Sequence, residues 1–385
     1  MANGVRASVW AHFGGLKDPR VDRTRRHELL DIIAMALCGV IAGADGWAGI
    51  AEFARSKREW FESFLLLPNG IPSDDTFRRV LSRLNPKEFF ACCTQWLESL
   101  QADNPSEAGD DEKQIAIDGK TARRSFDRAK EQSALHLVSA WSAERRLILG
   151  QEAVHEKSNE ITAIPRLLKM IEISGAIVTI DAMGCQTAIA DQIREQGGDY
   201  ILALKGNQEK IHDRVQAYFG DMEQHMEAGV TFSYHETTER AHGRTEKRMH
   251  FTCPADETVD PERRWRDLNS IGMVITERTV GEKTSVERRY YLNSLRSAAK
   301  RFGRAVRRHW SVENSLHWSL DISFREDESR IRKDDGQEIF GALRRIALSR
   351  LKNDTSVKRG IAIKRQKAGW NEAYLLHLLL APDTS

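Results

Sequence analysis

IAIDGKTARRS, residues 115–125, decides how the chain is read. Gly119-Lys120-Thr121 has the ending of a phosphate-binding loop, but that loop needs a glycine at position 114, where Gln114 stands. Ile115, Ala116, Ile117 and Asp118 form an extended apolar run, which cannot curl its backbone N–H groups around phosphates. The segment is therefore a strand that ends in an acid, and no nucleotide cofactor is expected. IVTIDAMG, residues 177–184, repeats the setting with Asp181 and then Gly184. Two carboxylates on neighbouring strand ends can share divalent metal ions. Mg²⁺ is typically held by few carboxylates plus substrate phosphate oxygens. Two such ions about 4 Å apart would stabilise the attacking and the leaving oxygen of a phosphodiester displacement. The alternative is that each Asp merely caps the turn behind it.

Outward from these strands, ALHLVSAWSAERRLILGQEAV (134–154) reads as two strands about a turn at Ala143–Arg145. EITAIPRLLKMIEI (160–173) keeps Ile161, Ile164, Leu168 and Ile171 on one helical face. A short helix over QTAIADQIREQG and a strand over DYILALKGN follow. The order β-β-β-α-β-α-β predicts an α/β fold, a mixed sheet with helices packed on it. Strand-like alternation in 231–253 and 270–295 predicts a β-rich insertion over about 207–297, before a helical pattern returns from Ala298 to about Lys352.

Residues 1–105 read as a helical N-terminal domain, and 106–385 as the second domain. Asp74 and Asp75 behind Pro72-Ser73 mark a helix start with favourable dipole chemistry. The unit is either a DNA-binding helix-turn-helix variant or a helical cap. The acidic, polar QADNPSEAGDDEK (101–113) is its linker.

Of the 385 residues 41% are hydrophobic, enough for a packed core, and the net charge of +2 does not announce a nucleic-acid binder. The five cysteines form no Cys-x-x-Cys pair, which argues against a disulfide framework or a zinc site. The longest apolar run, Ile32–Ala44, falls short of the roughly 20 residues a bilayer needs. A cytoplasmic protein with no membrane partner is expected.

A third acid is expected on a helix packed against the sheet. RRHWSVENSLHWSLDISFREDESRIR (307–332) offers Glu313, with Trp310 and His317 on the same ideal helical face. Trp310 and Trp318 either stack on bases or pack in the core. His309 and His317 either touch a phosphate or orient a carboxylate.

With these motifs assembled, the chain resembles bacterial insertion-sequence transposases of the Asp-Asp-Glu type, in the branch that includes the H-repeat-associated proteins of Rhs elements. FGGLKDPR, ALCGVIAGADGWAGIAEFA and GIPSDDTFRRVL resemble the branch's N-terminal domain. IAIDGKTARRS, EKSNEITAIPRLL, TIDAMGCQ, YILALKGNQ, RYYLNSL, HWSVENSLHWSLDISFREDESR and LRRIALSRLK follow in the order of its catalytic domain. The resemblance covers nearly the whole chain. It implies a ribonuclease-H-like fold with a β-rich insertion, and metal-dependent cleavage and strand transfer of DNA ends. By motif match it makes Asp118, Asp181 and Glu313 the metal-binding catalytic triad, served by two Mg²⁺ ions with Mn²⁺ able to substitute. A nuclease or resolvase of the same fold, or an inactive DNA-binding derivative, are the alternatives. The chain departs from related enzymes that carry Tyr, Arg and Lys around the glutamate: Val306, His309 and Leu320 stand there.

Double-stranded DNA, as terminal repeats and target, is the expected partner, bound by a homodimer. Candidate DNA contacts are Lys120, Arg123, Lys157, Asn159, Lys205, Arg304, Arg307, Arg308, His309, His317, Arg325 and Arg330. A further run of nine cations from Arg344 to Lys367, with Asp354 the sole acid, is expected to supply phosphate contacts.

Overall fold

The structure is a computed structural model that describes residues 2–102, 112–122, 134–154, 160–241 and 243–380. Arg123, Lys157 and Asn159 lie outside the described residues.

The N-terminal part consists of helices α1 (Ala2–Phe13), α2 (Leu29–Ile41), α3 (Trp47–Ser56), α4 (Arg58–Glu62), α5 (Asp74–Leu81) and α6 (Pro86–Ala102). The Ile32–Ala44 run becomes α2, whose Ile32, Ile33, Met35, Ala36 and Ile41 are fully buried. Helix α5 starts where the sequence places it: the Ser73 hydroxyl accepts a hydrogen bond from Thr76 N–H, with Asp74 and Asp75 in the first turn.

The sheet begins with β1 (Gln114–Thr121), β2 (His136–Ser142) and β3 (Leu147–Val154), with β2 antiparallel to both β1 and β3. Helix α7 (Glu160–Leu168) leads to β4 (Ile177–Ile180), and α8 (Thr187–Glu195) leads to β5 (Asp199–Leu204). Strand β4 runs parallel to both β1 and β5.

The inserted region differs from a separate β lobe. It opens with two helices, α9 (Glu209–Gly220) and α10 (Met222–Glu227). Its strands β6 (Ser233–Ala241), β7 (Arg244–Pro254), β8 (Ser270–Val280) and β9 (Lys283–Asn293) then join the first sheet. The joint is antiparallel pairing of Ile201–Leu204 with Asn293–Tyr290. The described strands form one sheet in the order β3-β2-β1-β4-β5-β9-β8-β7-β6. The physical reason is the composition of β9. Its first half is exposed, while Tyr290, Tyr291, Leu292 and Asn293 are buried and can occupy a central position beside β5.

The chain then forms α11 (Ala299–His309), a π-helical segment (Val312–His317), α12 (Trp318–Phe324), α13 (Gly336–Asn353), α14 (Ile361–Trp370) and α15 (Glu372–Leu379). Helices α13 to α15 share one hydrophobic core with α1 to α6, in which Phe13, Phe89 and Trp96 pack with Phe340, Leu343 and Leu375. A second core lies on the other face of the sheet, under α7 and α8. Alternation along β1 serves both: Ala116 belongs to the first core, Ile115 and Ile117 to the second. Among the described residues no helix is long and apolar enough to cross a membrane.

Candidate active site

Asp118 does not end its strand: β1 runs on to Thr121 because Gly119, Lys120 and Thr121 stay paired with β2. Asp118 stands on the Ala116 face, where its Oδ1 accepts the Gly119 N–H at 2.9 Å. Asp181 follows β4, and its Oδ1 accepts the N–H groups of Met183 (3.0 Å) and Gly184 (3.4 Å). Asp181 therefore does cap its turn, and the cap fixes its carboxylate. Gly184 is required by close approach, because an added Cβ would lie 2.4 Å from Ile180 Cγ2 and 2.7 Å from Ile164 Cδ1. The KGNQ stretch braces the same turn: Asn207 Nδ2 donates to Ala182 O at 2.7 Å, and Gln208 Nε2 to Cys185 O at 3.0 Å.

Asp118, Asp181 and Glu313 line one cavity of about 340 Å³, together with Lys205, His309 and Trp310. Burial, and then the nearby Asp181, push the Asp118 carboxyl up to about 7. Burial and Glu160 raise Asp181, while Lys205 opposes the rise. Glu313 is exposed at the cavity mouth, on the π segment. A buried set of like charges is costly unless a cation joins it. Among the described residues no three His, Cys, Asp or Glu side chains stand close enough to enclose a metal ion. The acids still suit Mg²⁺, because their donors are all hard oxygens and Mg²⁺ keeps several waters of its own.

The two histidines face inward. His317 Nδ1 lies 3.5 Å from Asp118 Oδ2, and burial pushes its imidazole down to about 3, so it is neutral near pH 7. His309 Nδ1 pairs with Thr179 Oγ1 at 3.0 Å, and burial pushes it down to about 4. Neither carries a charge to offer a phosphate; of the two roles open to His317, it takes that of a carboxylate's neighbour.

A second cavity, of about 380 Å³, adjoins the first through Arg289, Trp310 and Glu313. Strands β7 to β9 and α11 line it with Arg244, Arg248, Arg278, Arg289 and Arg307. Glu246 holds three of these: Arg244 at 3.2 Å, Arg278 at 3.6 Å, and Arg248. The Arg289 guanidinium lies 4.4 Å from the Trp310 ring centroid, and Trp310 lines both cavities. Trp318 instead projects outward, 60% exposed.

The comparisons with known proteins bear on this arrangement. Residues 109–350 match the family described as "Transposase DDE domain", and residues 10–97 match "DDE_Tnp_1-associated". The chain belongs to the DDE transposase family. It is 37% identical to the "H repeat-associated putative transposase YhhI" of Escherichia coli (strain K12), over 97% of this chain and 98% of that one. It is 39% identical to the "Putative transposase YncI" of Escherichia coli O157:H7, over 97% and 94% respectively.

Against this DDE transposase background several candidate contacts change character. The Lys120 side chain is 8% exposed and held by Asp321 at 2.7 Å and Asp327 at 3.7 Å, so it is not presented to a DNA backbone. Of the cations between Arg344 and Lys367, Arg344, Arg345, Arg350, Lys364 and Arg365 are buried. Arg345 pairs with Glu326 at 2.7 Å, Arg350 Nε donates to Leu378 O at 2.7 Å, and Lys364 Nζ donates to Leu351 O at 2.8 Å. They tie helices together, because a buried cation is tolerated only with partners. Arg304, Arg307, Lys205, Arg325 and Arg330 remain exposed, with Arg307 on Glu239 at 2.9 Å and Arg325 on Glu328. Arg308 is half-buried.

Sequence reasoning missed Glu160. It opens α7, meets His136 Nε2 at 2.9 Å, and lies against Gly119, where a Cβ would sit 2.3 Å from its Oε1. It also missed the arginines of the inserted strands. Their period-2 alternation was legible, but what they face depends on where β9 joins the sheet.

Proposed function

We propose that the chain is a DNA transposase that cleaves insertion-sequence ends and transfers the cut strand, with Asp118, Asp181 and Glu313 holding two divalent ions, Mg²⁺ or Mn²⁺. The observation that carries this reading is that these three acids, from β1, the end of β4 and the π segment, line one cavity. The order β3-β2-β1-β4-β5, with Asp118 and Asp181 each just past the parallel β1–β4 pairing, supports a ribonuclease-H-like core. The two family matches flank residue 105, which supports a division into 1–105 and 106–385.

When bound, the ions would polarise the scissile phosphate and stabilise the entering and leaving oxygens. The chain's own residues supply the frame. Backbone N–H groups of Gly119, Met183 and Gly184 fix the two aspartates. Neutral His317 occupies the flank of Asp118 without competing for its charge. Lys205 stands at the cavity, and the arginines of the second cavity give the neighbouring DNA strand a cationic wall. Double-stranded DNA is the substrate, with a homodimer bringing two ends together.

The test is incubation of the purified chain with its own flanking terminal DNA and Mg²⁺ or Mn²⁺, with products resolved on a denaturing gel. Cut and joined strands are the expected products. Cutting without joining would make the chain a nuclease or resolvase. End binding without cutting in either metal would leave a DNA-binding derivative.

A further inference from the structure

Glu313 belongs to a row at four-residue spacing: His309, Glu313, His317 and Asp321. Two members of this row are fastened to the sheet and a third lies against it. His309 Nδ1 meets Thr179 Oγ1 at 3.0 Å, His317 Nδ1 meets Asp118 Oδ2 at 3.5 Å, and Asp321 Oδ1 meets Lys120 Nζ at 2.7 Å. The fourth, Glu313, opens onto the cavity that Asp118 and Asp181 line. Thr179 lies two residues before Asp181, and Lys120 two residues after Asp118, so each shares the sheet face of its acid. A two-residue step along a strand is about 6.6 Å and a four-residue step along a helix about 6 Å, so the rungs His317–Asp118 and Asp321–Lys120 run in step. An ideal α-helix would carry a four-residue row about 40° sideways at each step. The wider turn of the π segment, Val312–His317, takes back part of that drift where Glu313 sits.

We propose that Lys120–Asp321 and Thr179–His309 are two pins, on either side of Glu313, that set its level against Asp118 and Asp181. Lys120 and Asp321 are thus positioning residues. This rests on the assignment of those three acids as the metal site. The Lys120 pin is built for the purpose: the lysine side chain is nearly buried, Asp327 backs it at 3.7 Å, and the buried Glu326–Arg345 pair at 2.7 Å anchors the same turn to α13.

The test uses the full chain with Lys120→Asp, Asp321→Lys and the double exchange. Mn²⁺ affinity is measured by calorimetry without DNA, terminal-DNA affinity by titration, and cleavage by single-turnover kinetics. Each single exchange is expected to weaken Mn²⁺ binding about 10- to 100-fold, the range for residues that orient metal ligands. Cleavage should fall in parallel while DNA affinity is kept, and the double exchange should recover most of both. Asp321→Asn and Thr179→Val, milder changes, cover the case in which an exchange fails to fold. Both should lower Mn²⁺ affinity with the melting transition still cooperative. Unchanged Mn²⁺ affinity in folded single variants overturns the pins. So does a loss confined to DNA affinity with a shallower salt dependence, which would make Lys120 a phosphate contact. A parent that binds Mn²⁺ but cuts no DNA, with affinity lost in the singles and regained in the double, sustains the pins and sinks the proposed activity.

Discussion

Asp118 is the residue on which the electrostatics of the site converge. Burial and the Asp181 charge hold its carboxyl up at about 7, against about 3.9 for an ordinary aspartate. A group whose folded value is raised above its unfolded value adds stability at low pH and loses it as pH climbs to the folded value. Metal-free protein is therefore expected to lose stability between about pH 4 and pH 7, by at most about 4 kcal/mol from this group. Asp118→Asn should flatten that part of the melting-temperature profile, and Mg²⁺ should flatten it in the parent. A parent profile that rises across this window would refute the account. For catalysis, Asp118→Asn, Asp181→Asn and Glu313→Gln are each expected to abolish cleavage in a denaturing-gel assay while terminal-DNA binding persists. Each removes a ligand charge at nearly constant size. Full cleavage by any one of them removes that acid from the triad.

Helix α11 is docked on the sheet by a small polar cluster. Gln114 Nε2 donates to Ala305 O at 2.8 Å and to Thr179 Oγ1 at 3.3 Å, while His309 shares the same hydroxyl. Valine at 179 keeps the volume but deprives both partners. Thr179→Val should cost about 1–3 kcal/mol, the penalty of a buried polar group left unsatisfied, measured by urea unfolding. A change below a few tenths would mean that water replaces the hydroxyl. The strand β1 has its own constraint at Gly119. Gly119→Ala should displace Glu160 and His136, because its Cβ would lie 2.3 Å and 2.4 Å from their polar atoms. Undisturbed His136 and Glu160 in a crystal structure of that variant would contradict the close approach.

Across the whole molecule, the N-terminal helices and the C-terminal helices are halves of one core, so neither end is an appendage. Phe340 packs edge-on against Trp47 at 4.9 Å, and Arg365 Nη2 donates to Val40 O at 3.0 Å. Truncation after Leu351 deletes α14 and α15, with the buried Leu375, Leu378 and Leu379. It is expected to abolish the cooperative melting transition, where a detachable DNA-binding tail would leave it intact. The salt dependence of DNA binding is better probed at exposed cations. Arg304→Ala, Lys358→Ala and Arg359→Ala remove exposed charges. Each is expected to reduce the slope of log affinity against log salt by about 0.9 if its residue meets a phosphate. A slope that stays constant in all three places the DNA elsewhere.

The sequence by itself determined the local elements and where along them the candidate acids stand. The apolar runs leading into Asp118 and Asp181 read as strands, and the Ser73-Asp74-Asp75 signal starts α5, because backbone hydrogen bonding and side-chain period are local matters. Glu313 was legible from the motif around it. Tertiary structure alone decided which charges meet solvent. Lys120 and the cations from Arg344 to Lys367 read as phosphate contacts, yet five of that run are buried, because burial depends on partners such as Glu326 and Leu378 O that lie elsewhere in the chain. The π segment was equally out of reach, since nothing in VENSLH distinguishes a widened turn from an α-helical one. The row His309–Glu313–His317–Asp321 meets the sheet only where β1 and β4 bring Thr179, Asp118 and Lys120 onto one face. A pairing between two separate elements is fixed by their packing, and no local pattern carries it.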